Sequence, residues 1–363
     1  MNTSSGRIGV LTSGGDCAGL NAALRAITLR ANSLGFSVFG IRNGAQGLLE
    51  SPADTVSLEI AAMDVALLRK GGTILGTLNQ RDPYAWPMPD GSRKDRSGEI
   101  IDTLRKTNCK GLIGIGGDGS MAVFARLTRP SGIPFIGVPK TIDNDIAQTE
   151  RAIGFSTALE IVTESIDRLH STAESHRRIM VVEVMGRDAG HIALSAGIAG
   201  GADVILIPEI PIDFTQLVAH IKALYARGRN SAVVVVSEAV RTPEGEQLVH
   251  AFGETQKRLG GIGQRLGDFL AQETGIETRS TALGYVQRGG DPGAHDRILA
   301  SALGTHAAEL IAQGQTDRMV AWRDGQVIDV PLDTVVNVNQ FVDPKGVLVR
   351  TARGLGIYVG GEF

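Results

Sequence analysis

The chain has 363 residues and a formal net charge of −3, and 47 of its residues are glycine. It has no Gly-X-Y period and 42% of its residues are hydrophobic, which excludes a collagen-like fibre and a disordered chain and indicates glycines at the turns of a folded protein. The chain has two cysteines and lacks a signal-peptide core, a membrane-length apolar run and a basic tail, which predicts a cytoplasmic protein that binds neither membrane nor nucleic acid.

Short apolar runs alternate with longer helical patterns in the first half of the chain. The runs predict strands at residues 7–12, 36–41, 111–115 and 134–138. Helices are predicted at residues 20–33, from residue 121 onward and at residues 153–169. The polar, turn-rich residues 84–96 are predicted to form an exposed loop.

The second half repeats this alternation. Strands are predicted at residues 179–184, 203–207, 232–236 and 278–285, and a late hairpin pairs residues 318–322 with 326–330. A helix is predicted to open at residues 185–187, and others to cover residues 214–226, 260–274 and 296–313. The pattern predicts an α/β fold of two Rossmann-like lobes with mainly parallel sheets flanked by helices.

Glycine clusters follow two of the predicted strands, where open parallel sheets bind ligands. One is Gly14-Gly15-Asp16, and the other is Gly116-Gly117-Asp118-Gly119-Ser120. Bare backbone before a helix admits phosphate, although each cluster could also be only a tight turn. Since Mg²⁺ is usually held by one or two carboxylates together with substrate phosphates, Asp118 is a candidate metal ligand.

Two carboxylates lie two residues apart in Thr141-Ile142-Asp143-Asn144-Asp145. We expect this segment to be extended, so that both carboxylates point to the same side. One could act as a base on a hydroxyl while the other supports a metal, or the pair could serve only as turn formers. Lys140 supplies positive charge for a phosphoryl group in transfer.

Arginine is paired with glycine at two predicted strand ends, in Met185-Gly186-Arg187 and in Arg288-Gly289-Gly290. A guanidinium group offers a two-point fork for phosphate, although surface arginines are usually only solvated. Glu238 follows the strand at residues 232–236 and could accept sugar hydroxyls or be a carboxylate of the rim. The histidines show no metal-ligand spacing, and no Gly-x-x-x-x-Gly-Lys-Ser/Thr loop is present.

Together these motifs resemble the bacterial-type phosphofructokinase family over nearly the whole chain. The matching segments occur in the order of that family: residues 8–16 (IGVLTSGGD), 71–76 (GGTILG), 116–120 (GGDGS), 139–145 (PKTIDND), 181–187 (VVEVMGR) and 287–290 (QRGG). Six ordered matches make the resemblance specific.

The resemblance implies phosphoryl transfer to the 1-hydroxyl of fructose 6-phosphate with Mg²⁺ as cofactor. Asp143 would be the base, with Lys140 and Thr141 beside it, and Asp118 would bind Mg²⁺ with Asp145 assisting. The donor would contact Gly14, Gly15, Arg81, Gly117, Asp118, Gly119 and Ser120. The sugar phosphate would contact Thr141, Asp143, Arg178, Met185, Gly186, Arg187, Glu238, Arg279, Tyr285 and Arg288.

The resemblance also implies an organisation in lobes and subunits. Residues 1–154 plus 288–337 would form the donor lobe, and residues 155–287 plus 338–363 the sugar-phosphate lobe. Arg178 and Arg279 would reach the sugar phosphate of a neighbouring subunit, which implies a homo-oligomer, typically a tetramer.

Two positions bear on the phosphoryl donor in this family. Glycine at the position of Gly119 goes with ATP, because a carboxylate there would fill and repel the place of the α-phosphate. Lys140 occurs in pyrophosphate users and also in related ATP users, so the donor signature is mixed. We expect ATP; the alternatives are pyrophosphate and, from another class, a catalytically silent sensor of sugar phosphates or nucleotides.

Two departures from the family pattern concern the substrates. Many members have an arginine shortly after the segment at 71–76, whereas here Arg81 comes later, beyond Asn79, so either Arg81 or Lys140 would meet the transition-state charge. Tyr285 stands near the place of a histidine and brings no positive charge, which leaves a related sugar such as sedoheptulose 7-phosphate open.

Overall fold

The computed structural model describes residues 6–78, 82–252 and 256–361. Its strands in chain order are β1 (Arg7–Thr12), β2 (Ser37–Ile41), β3 (Thr55–Ser57), β4 (Trp86–Pro87), β5 (Arg93–Lys94), β6 (Cys109–Gly116), β7 (Phe135–Thr141), β8 (Ile153–Gly154), β9 (Ile179–Val184), β10 (Val204–Leu206), β11 (Ala232–Ser237), β12 (Val249–Phe252), β13 (Gln256–Leu259), β14 (Thr278–Ala282), β15 (Arg318–Arg323) and β16 (Gln326–Pro331). Its α-helices are α1 (Leu20–Ser33), α2 (Val65–Arg69), α3 (Ser97–Lys106), α4 (Asp118–Thr128), α5 (Phe155–His176), α6 (His191–Ala199), α7 (Phe214–Ala226), α8 (Ile262–Thr274), α9 (Ala294–Ala312) and α10 (Val347–Gly354).

The chain divides into two compact units. Unit 1 takes the described parts of Met1–Thr141, Ile146–Thr157 and Arg288–Asn339. Its main sheet has the strand order β16-β15-β7-β6-β1-β2-β3, with β8 paired to β7. The inner pairs of this sheet are parallel, and the outer pairs β15–β16 and β2–β3 are antiparallel. Strands β6 and β7 are buried almost throughout, as expected for parallel strands covered on both faces.

Unit 2 takes the described parts of Ile142–Asp145, Ala158–Gln287 and Gln340–Phe363. Its four-stranded sheet has the order β10-β11-β9-β14, and all of its pairs are parallel. Every residue of β9 and β11 is buried, which explains their runs of valine and isoleucine. One member of these strands is charged, Glu183 in β9, and its surroundings are described below.

The predicted α/β class is confirmed, with mainly parallel sheets flanked by helices. The predicted bounds of β1, α1 and α7 agree with the structure to the residue. The loop predicted for residues 84–96 is exposed at residues 89–95, but it also contains the short hairpin β4–β5, whose Trp86 is buried. Among the residues that the structure describes, no helix is both long and apolar enough to cross a bilayer.

Candidate functional site

In unit 1, β1 leads into a turn whose glycines are fixed by close neighbours. Gly14 has φ +84°, its N–H donates to the carbonyl of Leu78 at 3.2 Å, and its own carbonyl accepts from Thr77 Oγ1 at 2.6 Å. A Cβ atom at Gly15 would lie 2.7 Å from Nη1 of Arg288. The predicted donor turn is therefore bare backbone held in one conformation.

The second glycine cluster lies at the end of β6. Helix α4 begins at Asp118, so the prediction of a helix from residue 121 was wrong by three residues. Since the first N–H groups of a helix have no partner within it, the first turn, Asp118-Gly119-Ser120, presents amides suited to an anion. Ser120 Oγ donates to Ser13 Oγ at 3.0 Å and so joins this turn to the one after β1.

Gly119 and Gly116 lie in the same turn but have different surroundings. A Cβ atom at Gly116 would lie 2.7 Å from Cβ of Ser120, which leaves no room for a side chain. A Cβ atom at Gly119 would meet no atom within 4 Å. Packing within the chain therefore does not require glycine at position 119, and a side chain there would project into open space at the start of α4.

Two cations rest on the turn after β1. Lys140 lies in β7 and is 4% exposed, and its Nζ donates to the carbonyl of Gly15. Arg288 Nη1 donates to the carbonyl of Asp16 at 3.2 Å. Cys17 is close by, but burial raises the pKa of its thiol to about 12, which keeps the sulfur protonated and unreactive. The turn thus carries positive charge without a reactive thiolate.

The segment of paired aspartates is bent. Strand β7 extends to Thr141, and Asn144 has φ +54° in the left-handed region. The expectation of an extended segment was therefore wrong, and alternation along a strand does not decide where the two carboxylates point. Asp143 and Asp145 are each 6% exposed, so both residues are buried.

In unit 2, Glu238 holds the turn that follows β9. Its Oε1 accepts from the N–H of Gly186 at 3.3 Å and from that of Arg187 at 2.9 Å. A Cβ atom at Gly186 would lie 2.4 Å from the carbonyl oxygen of Ala189, and Arg187 has φ +52°. The turn is tight and partly strained, and α6 begins only at His191, so the prediction that residues 185–187 open a helix was wrong.

The same carboxyl group has an unusual pKa. Burial raises the pKa of Glu238 to about 7. The charges of Asp143 and Glu183 act in the same direction, whereas the hydrogen bonds from Arg187 and Gly186 oppose it. Glu238 can therefore change protonation near neutral pH, which is typical of functional sites.

Glu183 is a functional candidate that the sequence did not single out. Both of its oxygens accept from the N–H of Gly261, at 2.9 and 3.1 Å, and Oε2 accepts from that of Gly263 at 2.7 Å. These amides belong to the N-terminal end of α8. The sequence signal that could have identified Glu183 is that it is a lone acidic residue inside an otherwise apolar strand.

The remaining residues predicted to bind substrate have varied surroundings. Met185 donates its N–H to Gln287 Oε1 at 3.2 Å and directly precedes the turn that Glu238 holds. Tyr285 lies in a 3₁₀ turn, Gly284–Arg288, with 63% of its surface exposed, so the strand predicted for residues 278–285 ends early, at Ala282. Arg81 lies outside the described residues.

Arg178 and Arg279 lie at the amino-terminal ends of β9 and β14, at the opposite end of these strands from Met185. Arg178 precedes β9, and Arg279 is the second residue of β14, opposite Met180. Met185 and Glu238 follow the carboxyl ends of β9 and β11. Since a strand rises about 3.3 Å per residue, Arg178 and Met185 are separated by roughly 20 Å. These two arginines therefore do not share a site with Met185 in the same chain.

Asp118 remains the predicted metal ligand of unit 1. Within residues 6–78, 82–252 and 256–361, no three or more His, Cys, Asp or Glu side chains are grouped to hold an ion. Asp118 at the start of α4 fits an ion that takes its other ligands from donor phosphates and water, as Mg²⁺ usually does.

Comparison with known proteins agrees with this geometry. The family described as Phosphofructokinase matches residues 7–311. The ATP-dependent 6-phosphofructokinase 1 of Nostoc sp. is 54% identical over 356 residues, which are 98% of this chain and 99% of that protein.

Two solved structures have a similar fold. The Pichia pastoris phosphofructokinase in the T-state matches 97% of this chain with a TM-score of 0.78 and 28% identity, and the chain spans 39% of its length. The pyrophosphate-dependent phosphofructokinase of Nitrosospira multiformis matches 99% of this chain and 93% of its own with a TM-score of 0.81, and at 22% identity this likeness concerns the fold alone. From the family match over residues 7–311 and the full-length identity to the Nostoc protein, the chain belongs to the phosphofructokinase family.

Proposed function

We propose that the protein is an ATP-dependent 6-phosphofructokinase, which transfers the terminal phosphoryl group of ATP to the 1-hydroxyl of fructose 6-phosphate and releases fructose 1,6-bisphosphate and ADP. The name and the identity of the Nostoc relative support this activity, which is a step of glycolysis. The observation that carries the choice of donor is the open space at Gly119, next to the helix start that bears Asp118. A cytoplasmic location fits a protein of this activity.

Unit 1 supplies groups that suit the donor. The amides at the start of α4 and the bare turn at Gly14 and Gly15 can approach phosphate oxygens closely. Asp118 would hold Mg²⁺ on the donor phosphates, where the ion would neutralise their charge. Lys140 is anchored to the Gly15 carbonyl and places a cation beside this turn, where charge develops during transfer.

Unit 2 supplies groups that suit the acceptor. Asp143 would take the proton of the 1-hydroxyl as it attacks phosphorus. Glu238, whose Oε1 is occupied by two backbone amides, would use Oε2 for a sugar hydroxyl. The turn Met185-Gly186-Arg187 would line the sugar. Arg288, which belongs to unit 1, would contact the 6-phosphate. Phosphoryl transfer depends mainly on positioning and charge neutralisation, which this set of groups provides.

The assembly we propose is a homo-oligomer, with a tetramer as the expected form. By the rise of a strand, Arg178 lies roughly 20 Å and Arg279 roughly 16 Å along the sheet from Met185 of the same chain. This separation supports a site in which the two arginines serve the sugar phosphate of another subunit.

One assay tests the function. Purified protein is supplied with fructose 6-phosphate and either ATP or pyrophosphate, and product formation is measured. We expect activity with ATP. Activity with pyrophosphate alone would contradict the donor, and binding without turnover of either donor would favour the catalytically silent sensor. Sedoheptulose 7-phosphate as a second acceptor tests the sugar preference that Tyr285 leaves open.

A substitution tests the donor separately. Gly119→Asp places a carboxylate in the open space at the start of α4, and we expect it to raise the KM for ATP at least tenfold by repulsion of the phosphates. Gly119→Ala is the matched control, because it adds volume without charge. An aspartate variant that uses ATP as well as the alanine variant does would remove Gly119 as the determinant of the donor.

A further inference from the structure

Three charged side chains meet at the amino-terminal ends of β9 and β14 in unit 2. Arg178 directly precedes β9, Glu277 directly precedes β14, and Arg279 is the second residue of β14. The two strands pair in parallel with Thr278 opposite Ile179, and the N–H of Ile179 donates to the carbonyl of Glu277 at 3.0 Å. The backbone that carries all three side chains is therefore part of a rigid strand pair.

The Glu277 carboxylate contacts one arginine with each oxygen. Oε2 lies 3.0 Å from Nε of Arg178, and Oε1 lies 2.6 Å from Nη2 of Arg279. These contacts, with that of Arg178 as the largest cause, lower the pKa of Glu277 below its usual value, so the group is charged at neutral pH. One carboxylate thus links two guanidinium groups.

Stability of the fold does not account for this arrangement. The side chains of Arg178, Glu277 and Arg279 are 26%, 46% and 59% exposed, and ion pairs at such positions contribute little to folding. Two neighbouring guanidinium groups repel each other and are flexible, so a ligand that needs both must first bring them together. A shared carboxylate removes part of that requirement before the ligand arrives.

We propose that Glu277 is a positioning residue, which holds Arg178 and Arg279 as a preformed pair for the phosphate of the sugar bound by a neighbouring subunit. This inference rests on the proposed function. Glu277 itself would not contact the reacting atoms, so it should affect the binding of the sugar phosphate and leave the transfer step unchanged.

The test is Glu277→Gln, which keeps the shape of the side chain and removes its charge. We expect the KM for fructose 6-phosphate to rise roughly tenfold, with kcat and the KM for ATP within about twofold of the wild type. The matched control is Glu164→Gln, which breaks an exposed glutamate–arginine pair with Arg168 on α5, and it should leave every constant unchanged.

A second measurement separates positioning from a general structural effect. When Arg178 and Arg279 are both replaced by alanine, the further change Glu277→Gln should no longer raise the KM, because the residues through which it acts are gone. A tenfold increase that persists in this background would overturn the inference.

The remaining outcomes are distinguishable. An active wild-type enzyme whose KM is unchanged or lowered by Glu277→Gln would overturn the inference alone, and a lowered KM would mean that Glu277 competes with phosphate for the arginines. A wild-type protein that does not act on fructose 6-phosphate would overturn the proposed function and the inference with it.

Discussion

The two units hold their charged groups in opposite ways. In unit 1, side-chain cations rest on backbone carbonyls, as Lys140 does on Gly15 and Arg288 on Asp16. In unit 2, buried carboxylates rest on backbone amides, as Glu238 does on Arg187 and Glu183 on Gly263. Peptide dipoles of opposite orientation thus help to hold the charged groups of the two units.

This difference determines which chemical groups of a ligand each unit suits. The positive turn of unit 1 suits the phosphates of a donor. The acidic cluster of unit 2 suits hydroxyl groups and a base but repels a phosphate, so a phosphorylated sugar would need cations beside it. The arginine pair at the amino-terminal ends of β9 and β14 is the group that we propose to meet part of this need, together with Arg288.

The largest effect that separates the two units is expected at Asp143. Asp143→Ser should lower kcat by about 10²–10⁴-fold with little change in the KM for fructose 6-phosphate, because it removes a proton acceptor used only during transfer. Steady-state kinetics at saturating ATP measures this effect. Asp143→Asn, which conserves shape, should be similarly impaired, and normal turnover of either variant would exclude Asp143 as the base.

The next effect concerns the cation of unit 1. Lys140→Met should lower kcat with ATP by about 10²–10³-fold, because it removes a positive charge beside the donor turn. The exposed Lys106→Met on α3 serves as the control and should behave as the wild type. If the Lys140 variant keeps full turnover, the charge held on Gly15 is not used in transfer.

A smaller effect is expected in the pH dependence of stability. The pKa of Glu238 is raised from 4.5 to about 7, so the folded protein binds this proton where the unfolded chain does not. The stabilisation from this group is complete below about pH 4.5 and is lost as the pH rises through about 7, and it amounts to at most about 3 kcal/mol.

Denaturant unfolding between pH 4 and 8 measures this dependence, with Glu238→Gln as the comparison. The variant should show a flatter profile over this range, since the titrating group is absent. Glu183→Gln should shift the wild-type profile toward lower pH, because it removes a charge that raises the pKa of Glu238. Identical profiles for wild type and Glu238→Gln would contradict the raised pKa.

The smallest effects concern the glycines of unit 1, and they differ in sign. Gly119→Ala should stabilise the protein by about 0.5–1 kcal/mol, because α4 has room for the methyl group. In Gly71→Ala the new Cβ would lie 2.1 Å from the carbonyl oxygen of Gly290, and we expect a loss of about 1–3 kcal/mol. Denaturant unfolding of both variants under one condition measures these effects, and a Gly119→Ala variant that is destabilised would contradict the open space at position 119.

Local patterns predicted those parts of the fold that depend on neighbouring residues. The apolar runs of β9 and β11 and the periodicity of α1 and α7 carry their own boundaries. The start of α4 was misplaced because Gly117-Asp118-Gly119 is poor in helix formers, yet Asp118 is favourable in the first turn of a helix.

Contacts distant in sequence were beyond such reasoning. Glu183 is stabilised by amides about 80 residues later in the chain, and Arg178 meets Glu277 only because β14 pairs with β9. The left-handed conformation of Asn144 bends a segment that the sequence was expected to keep extended. Sequence motifs identified the predicted residues of the candidate site, whereas the long-range contacts that hold them are visible only in the tertiary structure.

The open surroundings of Gly119 have a consequence for the history of such enzymes. A side chain added there meets no neighbour and need not weaken the fold. If Gly119 sets the donor as we propose, a lineage can alter its phosphoryl donor through one codon while the rest of the site stays in place. Donor preference would then follow the phosphate chemistry of the cell more readily than the sugar site does, since Gly186 and Glu238 are locked into one turn.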